Sequence, residues 1–142
     1  MASPRRSKSA GTDWRAVTVA PLIFVQGSEE YIHTRVSESI KTQLKKAEPD
    51  TEIHHRSAAE YQSGELQVFA SPSLFGEKKL LIFDEMHKMS DAFVTDGLEY
   101  VKQANPDVTF LGLHGGGTRG KRLLDALKKS GVFVEAKPIK SD

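Results

Sequence analysis

Three stretches of this chain carry residue types at spacings that could do phosphate chemistry. The apolar run Leu22-Ile23-Phe24-Val25 leads into Gln26-Gly27-Ser28-Glu29-Glu30-Tyr31-Ile32-His33-Thr34. A loop that cradles a polyphosphate needs glycines whose backbone N–H groups wrap the anion, then a lysine to neutralise it and a hydroxyl to hold Mg²⁺. Here there is Gly27 alone, no lysine, and Glu29 and Glu30 where the phosphates would lie. Carboxylates repel a polyphosphate, so this is a degenerate phosphate loop. A second apolar run, Leu80-Leu81-Ile82-Phe83, ends in Asp84-Glu85. Many ATPases place one carboxylate on Mg²⁺ and another on the attacking water in this way. With no phosphate cradle beside it, the pair reads as a solvated strand end or the remnant of such a site. The third stretch, Gly115-Gly116-Gly117-Thr118-Arg119-Gly120-Lys121-Arg122, fits G-x-x-x-x-G-K and then fails, because Arg122 stands where the Mg²⁺-binding hydroxyl should be. It also follows the Asp-Glu strand, the reverse of the usual order.

A different chemistry lies in Ser71-Pro72-Ser73-Leu74-Phe75-Gly76, which precedes the charged Glu77-Lys78-Lys79. Two bulky apolar residues bracketed by proline and glycine are either tucked under the loop as a satellite core or displayed as an anchor for a partner. Most Leu and Phe are buried, which favours the first reading. If displayed, the pair is a natural hot spot. The five histidines, His33, His54, His55, His87 and His114, are scattered. On a strand His54 and His55 would point to opposite faces and could not share one metal, so no metal site is expected.

These residues need elements to hold them. From Pro21 onward, strands and helices alternate. Leu22 to Val25, Leu80 to Phe83 and Val108 to Leu113 read as strands buried on both faces. Residues 52–56 form a polar strand at or near an edge, and Val132-Phe133-Val134 closes the series. Ile32, Val36, Ile40 and Leu44 lay one apolar stripe along a helix, with Ser28 as its N-cap. A second helix is predicted over 58–69, interrupted at Gly64 and stopped by Ser71-Pro72. Ser90 or Asp91 caps a third, and a fourth over 119–129 ends at Gly131. Connections this short imply right-handed crossovers, hence an α/β fold with a five-stranded parallel sheet and helices on both faces.

The 142 residues suit one domain. No apolar run approaches the roughly 20 residues that span a bilayer, and no signal-like apolar core opens the chain, so a membrane partner and export are not expected. The chain has no cysteine, which excludes disulfides and thiolate metal sites and fits a reducing cytoplasm. A net charge of +1 points to no nucleic-acid partner in bulk, leaving local patches to do such work. Residues 1–13, with Arg5, Arg6 and Lys8, read as a disordered basic tail, and residues 14–140 as the folded domain.

From Pro21 to about Lys140 the chain resembles the N-terminal domain of the delta subunit of the bacterial replicative clamp loader. The likeness rests on Leu22 to Gly27, on Ser71-Pro72-Ser73-Leu74-Phe75-Gly76 with the strand after it, and on Gly120-Lys121-Arg122-Leu123-Leu124-Asp125-Ala126-Leu127. The resemblance implies an AAA+/RecA-like domain with a degenerate P-loop at Gly27, Asp84 and Glu85, and no cofactor. It implies that Leu74 and Phe75, flanked by Ser71 and Ser73, enter a hydrophobic pocket of the sliding clamp and help to open it. It further implies a bacterial, cytoplasmic, non-catalytic component of the DNA polymerase III assembly. Delta subunits continue into lid and collar domains that join the other loader subunits, so this chain is expected to be a fragment. Two other classes compete. One is a nucleoside triphosphatase using Asp84, Glu85 and the loop from Gly115 to Lys121. The other is a DNA-binding module using the basic face Arg119, Lys121, Arg122, Lys128 and Lys129.

Overall fold

The computed structural model describes residues 11–138. Five strands, β1 (Leu22–Gln26), β2 (Glu52–Ser57), β3 (Lys79–Asp84), β4 (Val108–His114) and β5 (Val132–Glu135), form one sheet in the order β2-β3-β4-β1-β5. Every pairing is parallel. The helices are α1 (Glu30–Ala47), α2 (Glu65–Phe69), α3 (Asp91–Lys102) and α4 (Lys121–Ser130).

Crossover handedness explains which helix lies where. The step from β1 to β2 runs one way across the sheet, whereas the steps β2 to β3, β3 to β4 and β4 to β5 run the other way. Right-handed crossovers therefore put α1 on one face and α2, α3 and α4 on the opposite one. The two apolar clusters agree. Ile23, Val25, Leu80, Ile82, Leu111 and Leu113 pack against Ile32, Val36, Ile40 and Leu44 of α1. Phe24, Leu81, Phe83 and Phe110 pack against Leu66, Phe93, Leu123 and Leu127. Alternate residues of each central strand thus feed two cores, as a continuous apolar run requires. On the second face the rings of Phe83, Phe93 and Phe110 pack mutually, with centroids 5.0 to 6.3 Å apart, and Tyr61 and Tyr100 extend the cluster.

Three expectations need correction. Ser28 does not cap α1: the cap position falls to Glu29, without a side-chain bond, because the Glu29 N–H is held by the Ala136 carbonyl at the end of β5. The helix expected over 58–69 shrinks to α2. Its first half is a turn whose backbone is tied elsewhere, with the Ala58 N–H on Asp84 O and the Ala58 carbonyl taking the Ser90 N–H. Tyr61 completes this turn, its hydroxyl donating to Asp96 and accepting from the Leu66 N–H. Tertiary bonds outcompete local helix propensity there. Gly131 ends α4 as expected, in extended backbone, and glycine is needed because a Cβ would stand 2.7 Å from the Leu22 carbonyl oxygen. The expected tail falls mostly outside the described residues, including Arg5, Arg6 and Lys8. Its last residues do not behave as a tail: Thr12 bridges β5 in parallel, donating its N–H to Phe133 O at 2.6 Å, and Asp13 accepts the Arg15 N–H.

Candidate functional site

The carboxyl ends of the strands face a cavity of about 470 Å³ lined by His33, His55, Asp84, Glu85, His87 and Lys41, among others. This is where an open parallel sheet binds its ligands. Only three residues separate β1 from α1, and the backbone groups of Gly27 and Glu29 already have partners. The Gly27 N–H donates to His114 O at 2.9 Å, the Glu29 N–H to Ala136 O at 3.1 Å, and Gly27 O accepts from His33 Nε2 at 2.7 Å. Gly27 sits at φ +142°, and a Cβ there would overlap the Ala136 carbonyl. Its glycine serves close packing of β1 against the chain after β5, not a phosphate.

Asp84 and Glu85 do stand together at the end of β3. Asp84 Oδ2 lies 2.8 Å from His55 Nε2, and Glu85 accepts the Ser57 hydroxyl at 2.5 Å, so both carboxylates turn toward the edge strand β2. Glu85 has a φ of +54°, the one positive φ at a non-glycine residue among those described. Glu30 and Glu38 line the same cavity, adding negative charge where a nucleotide would bring more. Glu29, expected there beside Glu30, is not among the lining residues.

The loop after β4 is likewise closed on itself. The Gly115 N–H donates to His87 Nδ1 and the Gly116 N–H to His114 Nδ1, both at 3.0 Å, and Gly117 O accepts from Gln26. Arg119 is turned to Met89 O and Asp91. Lys121 pairs with Asp125 one helical turn on, at 3.1 Å. The lysine a nucleotide site would need therefore points along its own helix, and two of the loop's amides are already used. Among the described residues no group of three or more His, Asp or Glu side chains is arranged to hold a metal ion.

The histidines are less scattered than their sequence positions suggest. His33, His55 and His87 line the cavity, and His114 lies behind it, 0% exposed and 6.0 Å ring to ring from His87. Burial pushes the His114 imidazole below its usual value; the bond to Arg119 O opposes this, while His87, His33 and Lys128 add to it. These residues belong to four different elements, so sequence spacing carried no signal of their meeting. His54 lies on the other face, its ring 5.0 Å from that of Phe69.

At the opposite end of the sheet, the loop between α2 and β3 projects Leu74 and Phe75, 94% and 87% exposed. They are displayed, not tucked under as a satellite core. Val68 on α2, 69% exposed, is another large apolar residue open to solvent. Ser71 donates its hydroxyl to Val68 O at 2.6 Å, and Ser73 Oγ accepts the Phe75 N–H at 3.3 Å. Gly76, at φ +75°, turns the chain back toward β3. The two serines thus hold the loop's shape while the apolar pair stands clear.

No family model and no curated protein matches the sequence. Solved structures of similar fold include the DNA clamp loader delta protein YqeN of Bacillus subtilis, with a TM-score of 0.67 and 20% identity over 86% of this chain and 40% of that one. The RuvB Holliday junction branch migration motor of Thermotoga maritima gives 0.53 and 17%, over 82% and 37%. The chain spans well under half the length of either. At such identity the likeness concerns the fold alone, a five-stranded parallel sheet with helices on both faces.

Proposed function

We propose that this chain is a non-catalytic, delta-type clamp-loader domain that binds a sliding clamp and helps to open it, with Leu74 and Phe75 as the wedge and Ser71 and Ser73 beside them. The observation that carries the reading is the display of two adjacent bulky apolar side chains on a loop whose base is hydrogen-bonded. Burying such a pair in a partner's pocket releases apolar surface from water at about 25 cal/mol per Å². Residues placed this way dominate the energy of an interface. The fold likeness to the B. subtilis clamp loader delta protein supports the reading. So does the closed state of the nucleotide position, where Gly27, Asp84 and Glu85 bond to the protein itself.

Binding alone does not open a ring. Opening follows if the wedge holds a distorted clamp interface more tightly than the closed one, which shifts the population toward the open state. ATP hydrolysis would then belong to other loader subunits of the DNA polymerase III assembly in the bacterial cytoplasm. Those subunits would be met through parts of a longer protein. DNA contact through α4 is secondary in this reading, and no membrane is involved. Among the described residues no helix is long and apolar enough to cross one.

The test measures binding of a bacterial sliding clamp to immobilised wild type and to Leu74→Ala/Phe75→Ala. The double variant should lose at least ~30-fold in affinity. Its thermal unfolding should barely move, since both side chains are exposed. A double variant that keeps wild-type affinity removes the wedge assignment, and a wild type that binds no clamp removes the whole reading.

A further inference from the structure

Lys79, the first residue of β3, lies across the base of the loop that displays Leu74 and Phe75. Its ammonium donates to Phe69 O at 3.0 Å and to Ser71 O at 2.8 Å. Between those two carbonyls, Ala70 O accepts from Asn105 Nδ2 at 3.1 Å. Val68 O, one residue earlier, takes the Ser71 hydroxyl. Four successive carbonyls at the end of α2 are thus satisfied by side chains, and a cation sits where the helix presents its negative end. The far end of the loop is fastened as well: Lys78 pairs with Asp107 at 2.7 Å, its carbonyl accepts the Glu52 N–H, and the Lys79 N–H bonds Asp107 O. Between these anchors only a short turn through Ser73 to Gly76 is left to carry the apolar pair.

We propose that Lys79 is a positioning residue that holds the loop of residues 71–76 in its projecting form, so that Leu74 and Phe75 meet a partner already arranged. The role in partner binding rests on the clamp reading above; the holding of the loop does not. Two exposed apolar side chains on a free loop would fold back onto the nearest apolar surface, and a partner would then have to reorder them on binding. Straddling two carbonyls on the helix side from a residue rooted in the sheet removes that freedom, which lowers the ordering penalty of association. The lysine does this from the sheet's interior edge, where it is partly buried and need not touch the partner at all.

Chymotrypsin, which cuts after Phe and Leu, reports the loop directly. Native wild type, Lys79→Met and Lys79→Arg are compared for the rate of nicking after Leu74 and Phe75, with thermal unfolding followed in parallel. Lys79→Met should be nicked several-fold faster at those bonds and not elsewhere, while Lys79→Arg, which keeps the cation and its reach, should return to the wild-type rate. Equal nicking of all three, or faster cutting spread over the whole chain, overturns the proposal. If Lys79→Met does not fold, Lys79→Gln, which keeps a stem and loses the charge and length, takes its place in the same comparison. Clamp affinity is then measured on the same set. A fall of about 3- to 10-fold in Lys79→Met, restored in Lys79→Arg, is expected. A wild type that binds no clamp removes the clamp reading while the nicking result still judges Lys79; normal affinity in a selectively nicked Lys79→Met removes the link between the two.

Discussion

His114 closes β4 with both ring nitrogens engaged. Nε2 donates to Arg119 O at 3.2 Å and Nδ1 accepts the Gly116 N–H. That pairing requires the neutral ring, and burial depresses the group's pKa below the usual 6.5. In the unfolded chain the same ring takes its proton near 6.5. As pH falls from there, the unfolded state binds a proton that the folded state refuses, so stability is complete above about 6.5 and drains away toward the folded pKa. Urea midpoints at pH 7.5 and 5.5 should therefore fall in the wild type and fall less in His114→Gln, which keeps an amide donor and acceptor without a titrating ring. An identical drop in both would assign the acid sensitivity to other groups. Nothing about position 114 in the sequence distinguishes it from the other four histidines; its partners lie two and five residues on, in the loop that folds back over the ring.

Among the elements, the connection from β1 to α1 has to be short and pinned. Its glycine at φ +142° and its amides on His114 O and Ala136 O lock the end of β1 between β4 and β5. Gly27→Ala would place a methyl group against the Ala136 carbonyl in a conformation that non-glycine residues avoid, at a cost of at least about 3 kcal/mol. Chemical denaturation would measure it, and a change below about 1 kcal/mol would mean that the β5 end shifts easily and the loop is not pinned. The strand pattern was largely readable in the chain: the three apolar runs are the three central strands, and the polar run 52–56 is the edge strand β2. The second helix was misread because its predicted first half carries helix-compatible residues whose backbone bonds go to β3 and α3 instead. Sequence periodicity reports which residues repeat, not which distant carbonyl will claim an N–H.

At the scale of the whole molecule, the fold and the chemistry part company. The parallel sheet places Asp84-Glu85 at the carboxyl end of a strand, where such sheets bind ligands and where ATPases set their Mg²⁺ and water carboxylates. The contents of the cavity differ: four carboxylates, three histidines and Lys41, which pairs with Glu38, while Lys121 lies outside the lining and turns to Asp125. Calorimetric titration with Mg-ATP is expected to give no binding in the micromolar range, and Lys121→Ala to change nothing. Micromolar affinity lost in that variant would restore the nucleoside triphosphatase reading. The same partition governs DNA. Lys121 on α4 and Arg119 just before it have acidic partners, which leaves less free positive charge there than the sequence alone suggests.

Taken by itself, the sequence determined the alternation of elements and the two-sided burial of the central strands. Each depends on neighbours in the chain: apolar runs and short connections. Tertiary structure alone decided that Leu74 and Phe75 stand in solvent, since the choice between tucking and display turned on Lys79 and Asn105, which come later in the chain and reach back to the end of α2. It also decided that His33, His55 and His87 line one cavity with Asp84 and Glu85. Sheet pairing brings together the ends of strands far apart in sequence, and no local pattern encodes which side chains will meet there.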